Sequence, residues 1–340
     1  MLPLKKAFII TGFILLAIAI YLYWLLFSSN TGDFADKKFL YIPTGSSYAS
    51  VLQNMKGNNI LRDIHSFDKM SQRLGYATAV HAGKYQIKAG MGNFTIVQML
   101  KGGKQVPVKL VINKLRTKND IIRKICMNLE ADSNEMRRLM KDTSFLNKYE
   151  IDSNQVQVII IPDTYQFFWN TDSKKALEKI AKNFTKFWTN DRKLKAKKLD
   201  LTIPQVITLA SIVEEETNMA EDKPKIASTY LNRIKKGMPL QADPTLKFAV
   251  GDFALKRLRS VHTQFASPYN TYKNTGLPPG PICTPHMNTI DATLNAPETD
   301  YLYFCAREDF KGFSNFAATY AEHLKNAKKY QQALNERGIK

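Results

Sequence analysis

The chain reads as an α+β protein: an N-terminal transmembrane helix, a small α/β domain, and a larger mixed α+β domain built around a glutamate-bearing helix. Three observations carry this. Ala7 to Phe27 is an uncharged run of 21 residues, long enough to span a bilayer. Between Phe39 and Asn113 short alternating segments are interleaved with helical ones, the pattern of a small mixed unit. Leu209-Ala-Ser-Ile-Val-Glu-Glu-Glu-Thr217 then sets three consecutive carboxylates at the end of an apolar segment of helical period. At 340 residues, 44% hydrophobic and 23% charged, the chain can bury a sizeable core in two domains.

In order, residues 1–6 form a short cytoplasmic N-terminus and 7–27 a membrane anchor. Lys5 and Lys6 precede the apolar run, so the positive-inside rule puts everything after Phe27 outside. A signal peptide is the competing reading. Against it, the run exceeds a usual signal core, and Trp24-Leu-Leu-Phe27 lacks a small-residue cleavage pattern. Residues 28–38 read as a linker and 39–114 as the small domain. Within it, Phe39-Leu-Tyr-Ile is a strand entering a turn, 48–57 and 58–74 are helices, Gly83–Ile87 a strand, Thr95–Lys101 a helix and Val106–Ile112 a strand. Residues 115–155 form a helical connector, with helices starting near Asn119 and Ser133. The larger domain occupies 156–340. Its apolar opening, Val156–Tyr165, suggests a buried strand. Ser173–Asp191 is an amphipathic helix, and a lysine-rich linker follows. Thr202 caps the glutamate helix and Pro204 suits its first turn. Tyr301–Phe304 and Phe313–Phe316 read as paired strands, and Ala317–Leu334 as a closing helix.

The net charge of +19 invites a polyanionic partner. The basic residues are scattered, however, with no RNA-binding aromatic motif, zinc-ligand spacing or basic arm. With an external topology this excludes nucleic acid and leaves solvated faces, anionic lipid or an anionic wall polymer. The three cysteines, Cys126, Cys283 and Cys305, leave at least one unpaired within the chain, and a Cys283–Cys305 pairing stays open. The five histidines lie far apart in the sequence and form no paired metal motif. No metal or organic cofactor is implied.

On the helical wheel Leu209, Ile212 and Val213 share a stripe, and Glu216 continues it. Glu214 and Glu215 fall to either side. An acid on an apolar stripe is partly desolvated, which raises its pKa and suits a proton donor near neutral pH. Glu216 is therefore the candidate acid and Glu214 the fallback. The alternative is three solvated charges at a helix end, against the helix dipole.

Downstream stand Asn232-Arg233, Leu240-Gln-Ala-Asp-Pro-Thr245, Ser267-Pro-Tyr-Asn-Thr-Tyr272 and Thr275-Gly-Leu-Pro-Pro-Gly-Pro-Ile282. In this order they resemble the MltG (YceG-like) family of endolytic murein transglycosylases, most strongly from Leu209 to about Pro297. The resemblance implies a LysM-like small domain, associated in the family with glycan binding; the other reading is a spacer. It implies cleavage of the MurNAc–GlcNAc β-1,4 bond of nascent peptidoglycan, leaving 1,6-anhydro ends, with the glutamate before Thr217, Glu216, as acid and then base. A muramidase-type hydrolase using Glu216 with Asp243, or a non-enzymatic wall-binding scaffold, are the alternatives. The expected partners are glycan strands, the cell (inner) membrane spanned once, and peptidoglycan synthases. Gln241 and Asp243 become candidates for holding the glycan, Asp243 competing with a turn or cap role. Tyr269, Asn270 and Tyr272 combine ring faces with amide groups, as sugar sites do. Gly276–Ile282, rich in proline and glycine, reads as a rigid wall. Asn232 and Arg233 read as structural. Two departures stand out: Gln157-Val158 replaces the usual Glu-Gly, and His286 sits where glycine is usual.

Overall fold

The computed structural model describes residues 2–255 and 259–338; the side chains at positions 2–7, 22 and 24–27 lie outside the described set. It is a mixed α+β chain in two compact units. The first comprises 1–109, 128–131 and 166–172; the second comprises 110–127, 132–165 and 173–340.

The first unit begins with helix α1 (Leu2–Phe27). Among the described residues no helix is long and apolar enough to cross a membrane. The expected anchor includes positions 7, 22 and 24–27, whose side chains lie outside that set. Strand β1 (Lys37–Ile42) follows, then α2 (Tyr48–Gly57), α3 (Ile64–Arg73), β2 (Gly83–Lys88) and α4 (Asn93–Lys101). β1 and β2 are antiparallel, with Leu40 opposite Tyr85. Alternate residues of both strands meet the helices in a core of Leu40, Met55, Phe67, Tyr85, Ile96 and Leu100. The expected helix over 58–74 starts only at Ile64: Asp63 accepts from the amides of His65 and Ser66 and caps it there. Residues 28–38, expected as a linker, are docked onto this unit. Asn30 Nδ2 donates to the Asp63 carbonyl at 2.7 Å and to Asn93 Oδ1 at 2.7 Å, and its Oδ1 accepts from the Asp63 amide at 2.8 Å. Gly32 passes so close to the Asn59 carbonyl that a Cβ would lie 2.3 Å from its oxygen, so only glycine fits.

The second unit contains β3 (Val108–Ile112, its first two residues counted with the first unit), α5 (Lys118–Cys126), α6 (Ser133–Leu139), α7 (Thr143–Leu146), β4 (Asp163–Phe167, its last two residues counted with the first unit), α8 (Ser173–Phe187) and α9 (Asn190–Lys198). Next come α10 (Ile203–Glu216), α11 (Lys223–Lys235), α12 (Asp243–Val250), α13 (Ser260–Thr263) and α14 (Met287–Leu294). Strands β5 (Tyr303–Ala306) and β6 (Ser314–Ala317) pair antiparallel, and α15 (Tyr320–Glu336) closes the chain. β3 pairs with β4. Two expectations are corrected. Val156–Tyr165 is not one strand: Val156–Ile159 is a 3-10 turn, and β4 starts at Asp163, past Pro162. The apolarity of the run reflects burial on all sides, with Val156, Val158, Ile159 and Ile160 fully enclosed, and proline cannot donate to a ladder. The lysine-rich stretch after α8 is a helix rather than a linker. Thr189 caps α9, Ala196 is buried, and Arg192 binds Asp291 with two nitrogens at 2.7 and 2.8 Å.

Helix α10 lies at the centre of the second unit, packed against α9, α11, α12 and α14. A capping box between Thr202 and Gln205 starts it, with proline in the first turn. Leu209, Ile212 and Val213 join Ile226, Tyr230, Leu240 and Ile282 in one apolar cluster. All three cysteines are free thiols.

Candidate active site

The three glutamates at the end of α10 meet three different environments. Glu214, 6% exposed, accepts from Lys223 Nζ at 3.1 Å and from the Thr289 hydroxyl, and lies 2.7 Å from His286 Nδ1. Burial alone pushes its carboxyl up, but hydrogen bonds from Thr289, His286 and Lys223 outweigh this and hold it below the usual range. Glu215 receives the Arg116 guanidinium as a fork, at 3.1 and 2.8 Å, and Lys114 at 3.2 Å. It too stays below the usual range, because these cations outweigh its desolvation. Glu216 has no ion pair among the described residues; its contact is the Tyr230 hydroxyl, which donates to Oε1 at 2.6 Å. Desolvation pushes its carboxyl up to about 7, and the negative charge of Asp243 adds to this while the Tyr230 hydrogen bond opposes it. The two paired acids are matched by Lys114 and Arg116 from the loop before α5, by Lys223 of α11, and by His286 and Thr289 at the start of α14; Glu216 is left to titrate near neutrality.

Glu216 opens into a cleft of about 260 Å³ lined also by Tyr230, Arg233, Leu240, Gln241, Asp243, Tyr272, Tyr303, Phe304 and His323. α11 supplies Tyr230 and Arg233, the first turn of α12 supplies Asp243, and the β5 strand supplies Tyr303 and Phe304. The Tyr272 hydroxyl donates to Asp243 Oδ1 at 2.5 Å; burial first, then this bond, raises the Tyr272 phenol and keeps it protonated. Gln241 is exposed and held at φ 49°, a left-handed conformation uncommon for glutamine and frequent where a site constrains the chain. His323 stacks on Tyr303, ring centres 5.4 Å apart.

The structure thus gathers Glu216, Gln241, Asp243 and Tyr272 around one cleft. Tyr269 and Asn270 are not among its lining residues. Asn270 is buried, donates to the carbonyls of Thr263 and Phe265, and accepts from the Tyr272 amide, so it shapes the turn that presents Tyr272. Tyr269 packs on Phe248, ring centres 4.7 Å apart. Asn232 and Arg233 bind backbone carbonyls: Asn232 those of Thr299 and Tyr301, Arg233 those of Leu302, Pro239 and Leu240. Arg233 also faces the cleft. The Gly276–Ile282 segment is fastened to α10, the Ile282 amide donating to Ser211 Oγ at 3.0 Å. Sequence reasoning missed Tyr230, Tyr303, Phe304 and His323, which converge from three separate elements. It also missed the use of His286: the residue replacing the usual glycine is one of three partners of Glu214, with Lys223 and Thr289. Gln157, in the other unusual position, is buried and donates to the Arg116 carbonyl at 3.0 Å. Among the described residues no cluster of three or more His, Cys, Asp or Glu could hold a metal.

The model of the YceG-like family matches residues 40–329. The chain belongs to the YceG-like family. This YceG-like chain is 32% identical over 316 residues to the endolytic murein transglycosylase of Bacillus subtilis, covering 87% of the chain and 85% of that protein. It is 26% identical over 330 residues to the endolytic murein transglycosylase of Streptococcus pneumoniae D39, covering 86% of the chain but 59% of that longer protein. Its fold is similar to the crystal structure of a YceG-like protein from Listeria monocytogenes, with a TM-score of 0.55 and 27% identity over 87% of this chain and 99% of that one.

Proposed function

We propose that this chain is a membrane-anchored endolytic transglycosylase that cuts the MurNAc–GlcNAc β-1,4 bond of nascent peptidoglycan strands, with Glu216 as general acid and then base. At the coarser level it is an enzyme of the class for which its relatives are named, a peptidoglycan lytic transglycosylase. The observation that carries the finer reading is the contrast among the three glutamates. Glu214 and Glu215 are committed to cations, while Glu216, raised to about 7, faces an open cleft. A carboxyl poised there is protonated in part at neutral pH and can also act as a base.

Protonated Glu216 gives its proton to the glycosidic oxygen as the C1–O bond breaks. The resulting carboxylate takes the proton of the C6 hydroxyl of the same sugar, and O6 bonds to C1. The 1,6-anhydro ring closes, no water is consumed, and Glu216 ends protonated. Positive charge builds at C1 in the oxocarbenium-like transition state, and Asp243, fixed by Tyr272, supplies a compensating negative charge in the same cleft. The rings of Tyr303 and Tyr272 offer faces for sugar C–H groups. Gln241 is free to meet amides or hydroxyls of the glycan. Membrane anchoring through α1 rests on its exposed apolar side chains, Phe8 to Tyr21, and would hold the enzyme at the outer face of the cell membrane, beside peptidoglycan synthases. The first unit, LysM-like in its sequence, would then contact glycan near the membrane.

The test is mass spectrometry of products from uncrosslinked glycan strands treated with the chain and with Glu216→Gln. Anhydro ends from the parent alone are the expected result. Reducing ends would make the enzyme a hydrolase using Asp243 as its second acid. Undiminished turnover by Glu216→Gln would remove Glu216 from the mechanism.

A further inference from the structure

Beside the Glu216 cleft, across the first turn of α12, lies a second depression. Glu215 and Pro244, the chain neighbours of Glu216 and Asp243, line it together with Arg116, Lys247 and Phe253. Arg116 and Phe253 also belong to a wider groove of about 260 Å³ that continues over Lys114, Arg123, Lys124 and the exposed Met127. Five cations line these two depressions against two carboxylates, Glu215 and Asp120. Glu215 is already matched by both Arg116 and Lys114. Asp120 is spent in the cap of α5 and on Arg123. Even without Lys124, the cations Lys114, Arg116, Arg123 and Lys247 outnumber the two carboxylates, so the surplus is positive. The loop that bears Lys114 and Arg116 is also fixed in place: Leu115 exchanges hydrogen bonds with the buried Thr284, and the buried Gln157 holds the Arg116 carbonyl. Arg116 lies over the Phe253 ring at 5.1 Å.

Sugar hydroxyls and acetamides do not call for such a field. The anionic groups of a peptidoglycan strand are the carboxylates of its peptide side chains or, where the peptide is missing, of the lactyl ether. We infer that the groove from Glu215 to Arg123 binds the carboxylates of the peptides carried by the strand, so that the enzyme selects peptide-bearing over bare glycan. This rests on the catalytic reading above for the identity of the polymer. The ring of Phe253 and the thioether of Met127 give the small apolar side chains of such a peptide a surface to cover. Charge pairing of this sort adds selectivity and encounter rate, and it weakens as salt screens it.

The experiment uses the full chain carrying Glu216→Gln, so that binding is read without cleavage. It is titrated calorimetrically with uncrosslinked glycan fragments bearing intact peptides, and with the same fragments after an amidase has removed the peptides. Peptide-bearing fragments should bind about tenfold more tightly, the worth of one or two partly screened charge contacts. The gap should narrow with added salt and vanish with Arg123→Glu plus Lys247→Glu, the first exposed and the second half-buried. Equal affinity for the two fragments, or a gap that survives charge reversal, overturns the inference. So does charge reversal that alters only binding to vesicles of phosphatidylglycerol and phosphatidylcholine. Peptide-selective binding without anhydro products from the parent would overturn the catalytic reading and leave the groove standing. Cleavage of bare and peptide-bearing strands with equal kcat/KM would do the reverse.

Discussion

Glu216 differs from its two neighbours by the cation it lacks, and the difference is measurable as a pH dependence. Its carboxyl is raised from 4.5 to about 7, so between those values the folded chain holds a proton that the unfolded chain has released. Stability therefore falls as pH rises through that window and stays lower above it. Glu216→Gln removes this cost. At pH 8 it should be the more stable protein, by about 3 kcal/mol for a shift of that size, and the gap should close toward pH 5; thermal melts at the two pH values decide it. In the proposed mechanism the acid form starts the reaction, so activity should fall as pH rises through about 7. Two neighbours should move that limb in opposite directions. Tyr230→Phe removes a hydrogen bond that favours the carboxylate and should shift the limb to higher pH. Asp243→Asn removes a repelling charge and should shift it to lower pH, while also lowering kcat. A pH–rate profile that ignored both substitutions would show that another group sets the limb.

Helix α10 carries the site, and its two ends are governed by different physics. Its start is local: Thr202 and Pro204 are legible from sequence because a cap needs only neighbours in the chain, and the structure adds Gln205, which completes a capping box with Thr202. Thr202→Ala should cost about 1 kcal/mol of stability, lowering Tm by a few degrees with kcat unchanged; a loss of kcat at full stability would mean that the cap tunes the far end. The other end is tertiary. The stripe through Leu209, Ile212 and Val213 marks Glu216 as facing the core, since periodicity reports which side is buried. It cannot report that Lys223, His286, Thr289 and Arg116 bind Glu214 and Glu215, because those partners arrive from distant elements. The same limit hid His323 and Tyr303. Elsewhere, local signals misled where burial or propensity was read too narrowly: Val156–Ile159 is apolar because it is enclosed on all sides, and the lysines of α9 are good helix formers that the charge pattern alone read as linker.

At the scale of the whole molecule, the junction after α1 decides what can be removed. A single residue, Ser28, separates that helix from the strap over Ser29–Gly32 that enters the first unit. The Asn30 amide donates to the Met91 carbonyl at 3.0 Å, its carbonyl accepts from Arg62 at 2.9 Å, and its side chain joins Asp63 to Asn93. An anchored helix would therefore hold the first unit without slack. It follows that two truncations five residues apart should behave differently. A chain beginning at Ser29 lacks the apolar helix but keeps the strap; it should leave the membrane fraction and melt with the first unit intact. A chain beginning at Phe34 loses Asn30 and exposes the backbone groups of Asp63, Met91 and Ile60 to water or leaves them unpaired. Each buried group so orphaned costs about 1–3 kcal/mol, so this chain should be soluble but markedly less stable, and Asn30→Ala in the longer chain should reproduce part of the loss. Fractionation after a carbonate wash reads the anchor, and calorimetry of the two truncated chains reads the strap. Equal melting of the two would reduce residues 29–33 to a passive tether, whereas a Ser29 chain that still sedimented with membranes would place the attachment elsewhere on the basic surface.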